Sequence, residues 1–160
     1  MKNKLLLCLS IFLVLVWMVV IYCFSEAPSE NSNSGSKTII RNTLNFIYPD
    51  KDDKEIERIV IKLNKPVRKC AHATVYFVLA NFVNSVVCVF KRNKLYLCNL
   101  ISLGVCFLYA CSDEWHQTFV SQRTGQFSDV LIDTLGALIG CLVFNLIYKN
   151  VVKRRNISEN

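Results

Sequence analysis

Four long apolar runs leave this chain few ways to fold. Leu5–Phe24 contains no charged residue. Cys70–Phe90 is interrupted by His72, Asn81 and Asn84, Leu95–Ser112 is slightly short, and Val130–Tyr148 carries Asp133 near its start. A helix needs about 20 residues to cross a bilayer, and polar first turns in the headgroup layer complete the two shorter runs. Backbone amides in lipid must be satisfied within the segment, so such runs span as helices. The expected fold is all-α and polytopic: four transmembrane helices in a single membrane domain over residues 1–160.

Charge orients the bundle. Of the formal net charge of +7, much sits beside the apolar runs: Lys2 and Lys4 before the first, Lys91, Arg92 and Lys94 between the second and third, and Lys149, Lys153, Arg154 and Arg155 after the fourth. Four crossings put these clusters on one side, which the positive-inside rule makes the cytoplasm. Both termini are then inside, and residues 25–69 and 113–129 face out. This distribution points to membrane lipids as partners and away from nucleic acid. The first run is long for a signal peptide and lacks a clean cleavage site, so it reads as a retained helix. None of the eight cysteines has Cys-x-x-Cys spacing, and they read as small buried hydrophobes; Cys23 and Cys70 lie near the same membrane face, where a disulfide is a minor alternative.

The first outward segment opens Ser25-Glu26-Ala27-Pro28, with Pro28 marking the helix exit, and continues rich in Ser and Asn as a loop. From Lys37, Ile40, Leu44 and Ile47 recur at helical spacing, with Ser36 as a candidate cap. Tyr48-Pro49-Asp50 breaks the pattern. Ile56, Ile59, Val60 and Leu63 then form a second apolar face that Pro66 should end. Two short amphipathic helices on the outer face are therefore expected, and plain packing explains their pattern.

Polar residues at the outward helix ends need another explanation. Arg68, His72 and Tyr76 are spaced one turn apart on one helical face. Arg68 and Lys69 can snorkel; His72 lies deeper. Asp113, His116 and Gln117 are three and four apart at the end of the third span, with Glu114 beside them. Arg123 stands in the following loop, Ser128 can cap the fourth helix, and Asp129 and Asp133 are one turn apart. An acid within a span is costly and marks a cavity or a partner; Arg68, His72 and Arg123 are the candidate partners of Asp133. Gly136 and Gly140 form a Gly-x-x-x-Gly pair suited to close helix packing, and Trp115 and Tyr109 suit an interfacial belt.

Asp113-Glu114-Trp115-His116-Gln117-Thr118-Phe119, Arg123-Thr124-Gly125 and Asp129-Val-Leu-Ile-Asp133 resemble the patterns of the VanZ-like family of bacterial membrane proteins. Arg68-Lys69-x-x-His72 with Tyr76 is similar to that family's second helix, and Phe24-Ser25 to its signature after the first. Ala27 stands where the family often has Gln, and Asp133 where it often has Asn. The resemblance implies a cell-envelope role and a link to low-level resistance to the glycopeptide teicoplanin, but no particular reaction.

Two functional readings follow. In the first, an enzyme acts on a lipid phosphate or a lipid-linked wall precursor at the outer face. Arg68 and Arg123 grip the phosphate, with Tyr76 and Gln117 completing the substrate site. His72 or His116 serves as nucleophile or acid, and Asp113, Glu114, Asp129 or Asp133 orients a histidine or acts as base. Ser121 and Ser128 are the weakest nucleophile candidates. Two histidines with these acids could instead hold a metal ion with open positions, although no standard metal spacing is present, and the sequence leaves the cofactor open. In the second, the same residues bind or transport a lipid headgroup or a drug, a polyprenyl-linked molecule among them, without chemistry. Four helices are few for a transporter, and a homodimer would supply more. A purely structural network is the third alternative.

Overall fold

The computed structural model describes residues 2–26, 29–90, 94–121 and 123–158, without the side chains of 2–3, 29–32 and 152–158. Five helices follow one another: α1 (Lys2–Glu26), α2 (Ser29–Ile47), α3 (Asp53–Phe90), α4 (Leu95–Gln117) and α5 (Phe127–Ser158). Four of them, α1, α3, α4 and α5, are long and apolar enough to cross a membrane. The chain is thus an all-α, multi-pass membrane protein. Pro28, Lys91 and Arg92 and the side chains of Lys2, Lys153, Arg154 and Arg155 lie outside the described residues.

The two short amphipathic helices differ from expectation. Among the described residues, only one helix, α2, is separate from the spans. The second amphipathic pattern is the first half of α3, which runs unbroken through Pro66 for 38 residues. At a rise of about 1.5 Å per residue it is about 57 Å long, nearly twice the roughly 30 Å hydrocarbon core. Proline removes the N–H that would bond the carbonyl of Lys62. Lys62, Leu63, Lys65 and Pro66 are all exposed, so this carbonyl is open to solvent and the helix need not end.

Packing explains the continuity. Ile40 and Leu44 of α2 lie against Ile56 and Val60 of α3, so the hairpin buries the apolar faces of both. Arg41 pairs with Glu57 across it. Helix α2 already begins at Ser29, where composition suggests a loop, and Asn33 and Ser36 tie this stretch to Asn64 and Arg68 of α3. Ser36 does not cap: it sits inside α2 and donates to the Asn64 side chain. Nor does Ser128 cap α5, since it already lies in the first turn.

Helix α3 is the hub, touching each of the other four. Tyr76, Leu79, Ala80 and Val83 of α3 meet Ile21 of α1, Cys106 and Ala110 of α4, and Val130, Ala137 and Cys141 of α5. Trp17 Nε1 donates to the Val75 carbonyl (2.9 Å) and Tyr109 Oη to the Met18 carbonyl (2.7 Å), fixing α1 to α3 and α4. Tyr109 thus serves the bundle interior, while exposed Trp115 suits the interfacial belt. Cys88, Cys98, Cys106 and Cys141 are buried, but Cys8, Cys23 and Cys70 are exposed, and all eight are free, with no Cys23–Cys70 disulfide.

Glycine sets the closest helix approach. A Cβ at Gly136 would collide with the backbone of Ala73, and one at Gly140 would lie 2.5 Å from the Phe77 carbonyl oxygen. The Gly-x-x-x-Gly pair therefore seats α5 directly on the α3 backbone. Gly104, by contrast, has open space around its Cα. Gly136→Leu should lower stability in detergent by about 1–3 kcal/mol or more, the cost of overpacking, whereas Gly104→Leu should be near neutral; thermal unfolding of the two variants checks this.

Candidate functional site

The middle of α3, the end of α4, the loop after it and the start of α5 line a cavity of about 350 Å³. Arg68, Lys69 and His72 of α3 line it together with Gln117, Arg123 and Asp129, and Asn33 and Asn64 close one side. Arg68 Nη1 donates to Asn33 Oδ1 (2.7 Å), and Asn64 Nδ2 donates to the same oxygen (3.2 Å). The expected alignment of Arg68, His72 and Tyr76 holds, with depth increasing along the helix. Arg68 and His72 face the cavity, and Tyr76 is fully buried beneath.

Arg123 is aimed by a short loop. Glu114 Oε2 accepts the backbone N–H of Gln126 (2.9 Å). Gly125 presses so closely on the Glu114 carbonyl and Thr118 that a Cβ would clash. This tie folds the loop over the end of α4, and Arg123 Nη2 donates to the Phe24 carbonyl (3.1 Å) at the end of α1.

Charge in the cavity is unbalanced. Asp129 is already paired with Lys69 (2.8 Å). Among the described residues, no carboxylate lies within ion-pair distance of Arg68 or Arg123. Nε of Arg68 and both Nε and Nη1 of Arg123 are buried without an acceptor among the described residues. Burial, and next the nearby Arg68, pull Arg123 below its ordinary basicity, opposed by Asp113 and Glu114. Guanidinium N–H groups held this way suit an anion with several oxygens.

An apolar groove of about 530 Å³ adjoins the cavity and shares Arg68, His72 and Arg123 with it. Ile21 and Phe24 of α1, Ile39 of α2, and Val67 and Val75 of α3 line its walls. Helices α1 and α2 make no contact among the described residues, so the groove lies between separate walls.

The remaining site candidates divide. Asp113 and Gln117 turn inward together: Asp113 Oδ2 accepts from Ser25 Oγ (2.8 Å) and from Gln117 Nε2 (3.1 Å). His116 turns away. Its Nε2 lies 2.8 Å from Glu26 Oε2, its ring packs against Tyr22, and it borders a separate pocket with Trp115 and Phe119. Asp133 is fully buried, and neither carboxylate oxygen has a partner among the described residues. The anticipated bonds to Arg68, His72 or Arg123 are not made. Tyr76 Oη is likewise unpartnered. Among the described residues, no three His, Cys, Asp or Glu side chains converge as a metal would need.

Residues 10–148 match the VanZ/LLP1 family model. The chain belongs to this family. Neither the curated proteins nor the solved structures hold a significant match. In this VanZ/LLP1 protein, the stretch from Asp113 to Gln117 does three jobs: Asp113 and Gln117 serve the interior, Glu114 ties the loop, and His116 meets α1. Sequence reasoning assigned no role to Ser25, Asn33 or Asn64. Ser25 was visible only as part of a two-residue signature, and the asparagines carried no signal within a polar segment. Lys69, which could have been only a snorkelling lysine, neutralises Asp129.

Glu114→Ala should free the loop. Losing a hydrogen bond to a charged group is worth about 1.5–3 kcal/mol, so amide exchange across residues 123–126 should rise roughly 10- to 100-fold, since about 1.4 kcal/mol is tenfold. Exchange mass spectrometry on the folded variant checks it.

Proposed function

We propose that this VanZ/LLP1 protein holds a membrane amphiphile by an anionic, phosphate-class headgroup at the outer face of the bacterial cell membrane. One observation carries the reading. Arg68, His72 and Arg123 belong at once to a charged cavity and to an apolar groove. A headgroup in the cavity would satisfy the open guanidinium donors, while its hydrocarbon tail lay in the groove. The charged cavity alone would suit a free anion; the apolar groove beside it favours an amphiphile.

The basic residues flanking the other helix ends support the orientation, with both termini cytoplasmic. Membrane lipids, polyprenyl-linked wall precursors included, are then the natural ligands. The family resemblance adds the envelope theme: a protein that sequesters or alters such a precursor changes what a glycopeptide meets outside the cell. In the catalytic form of this reading, His72 is the histidine placed to exchange a proton with the headgroup, since His116 lies outside the cavity. Asp129, tied to Lys69, helps to orient the cavity wall. A binding role without chemistry is the second reading, favoured by the presence of only one histidine at the cavity.

Titration in lipid nanodiscs tests the reading. The parent should bind polyprenyl phosphate and phosphatidylglycerol in preference to uncharged diacylglycerol. Arg68→Gln and Arg123→Gln should each weaken phosphate-lipid binding about 10- to 100-fold, given about 1.5–3 kcal/mol per hydrogen bond to a charged group. Arg→Lys should restore little, because an ammonium lacks the planar fork. Equal binding of charged and uncharged lipids would contradict the reading.

A further inference from the structure

Ser25 ends the first span in an unusual setting. It is 1% exposed, and its Oγ donates to Asp113 Oδ2 at 2.8 Å. Gln117 Nε2 contacts both, at 3.4 Å from Ser25 Oγ and 3.1 Å from Asp113 Oδ2. A latch between α1 and α4 explains the bond itself. It leaves two observations aside. Ser25 lines the apolar groove beside Arg68, His72 and Arg123. Arg123 is bonded to the carbonyl of the preceding residue, Phe24, while its Nε and Nη1 stay open. A hydroxyl hydrogen-bonded to a buried carboxylate, next to guanidinium donors with no acceptor, combines a nucleophile, a base and charge stabilisation for phosphoryl transfer.

We propose that Ser25 Oγ is a nucleophile toward the phosphorus of a phosphate or diphosphate ester held by Arg68 and Arg123. The inference rests on the phosphate-amphiphile reading above. In the first half, a bond forms between Oγ and phosphorus, and the bond from phosphorus to the leaving oxygen breaks. The Ser25 proton passes to Asp113, and the leaving oxygen departs as an anion beside Arg68, a phosphate anion when the substrate is a diphosphate ester. In the second half, water attacks the phosphoserine and yields a proton to neutral His72, which passes it on to the released leaving group. The Ser25–phosphorus bond breaks, and Oγ takes back the proton held by Asp113. The sum is hydrolysis of the ester, with no oxidant or reductant. Gln117, bonded to the same carboxylate oxygen, is a positioning residue for Asp113.

The experiment uses the full chain in nanodiscs with farnesyl diphosphate, labelled in its terminal phosphate, as the amphiphilic probe. Acid quenching at early times should leave label on the peptide containing Ser25, together with released phosphate. Ser25→Ala should abolish both while binding the probe within about threefold of the parent. Asp113→Asn should slow adduct formation on the order of 100-fold, the range for loss of an acid–base group. Should Ser25→Ala fail to fold, Ser25→Thr keeps the hydroxyl and should retain a slowed, labelled adduct on residue 25. Three results would overturn the proposal: parent-like turnover in folded Ser25→Ala, label on another residue, or a parent that binds the probe yet forms neither adduct nor phosphate. The last would leave Ser25 as a latch and the phosphate reading intact. A parent that does not bind the probe would overturn both.

Discussion

The continuity of α3 through Pro66 is the constraint on which the rest depends. One rigid helix carries the hairpin with α2 on its first half and the bundle hub on its second. It therefore brings Arg68, Lys69 and His72 to the junction between them. Had the helix ended at Pro66, these residues would have begun a new segment, and nothing would have fixed Asn33 of α2 against Arg68. The closeness of α5 adds the other wall. Because Gly136 and Gly140 let α5 rest on the α3 backbone, Asp129 at its start can reach Lys69.

Electrostatics then separates structural from functional charge. Lys69–Asp129 and Arg41–Glu57 are paired and need no ligand. Arg68 and Arg123 are different: part of each guanidinium is buried without an acceptor. Burying a charged donor unpaired is costly, and apolar packing would stabilise a helix end better than such a pair. The arrangement makes sense if the missing acceptor arrives with the ligand. On the proposed reading, the apolar groove beside it makes that ligand an amphiphile.

Much of this was legible in the sequence. Hydropathy alone marked four spans, because an unbroken apolar run has one stable form in lipid. The helical register of 68, 72 and 76 correctly ordered Arg68, His72 and Tyr76. Composition misled at α2, where Ser29–Ser36 reads as loop; contact with α3 outweighs the weak propensity of those residues. Register also explains why His116 leaves the site. It is adjacent to Gln117, so about 100° separates them around α4. The face that sends Gln117 to Asp113 and Ser25 sends His116 to Glu26 and Tyr22. The Ser25–Asp113 bond joins residues 88 apart in sequence, and no local pattern announces it.

An experimental structure of the protein in nanodiscs of native lipid tests the central claim most directly. The account predicts headgroup density between Arg68 and Arg123, with hydrocarbon density continuing between α1 and α2 along Ile21, Ile39 and Val75. A cavity holding only water, with both guanidinium groups turned onto carboxylates of the protein itself, would contradict it.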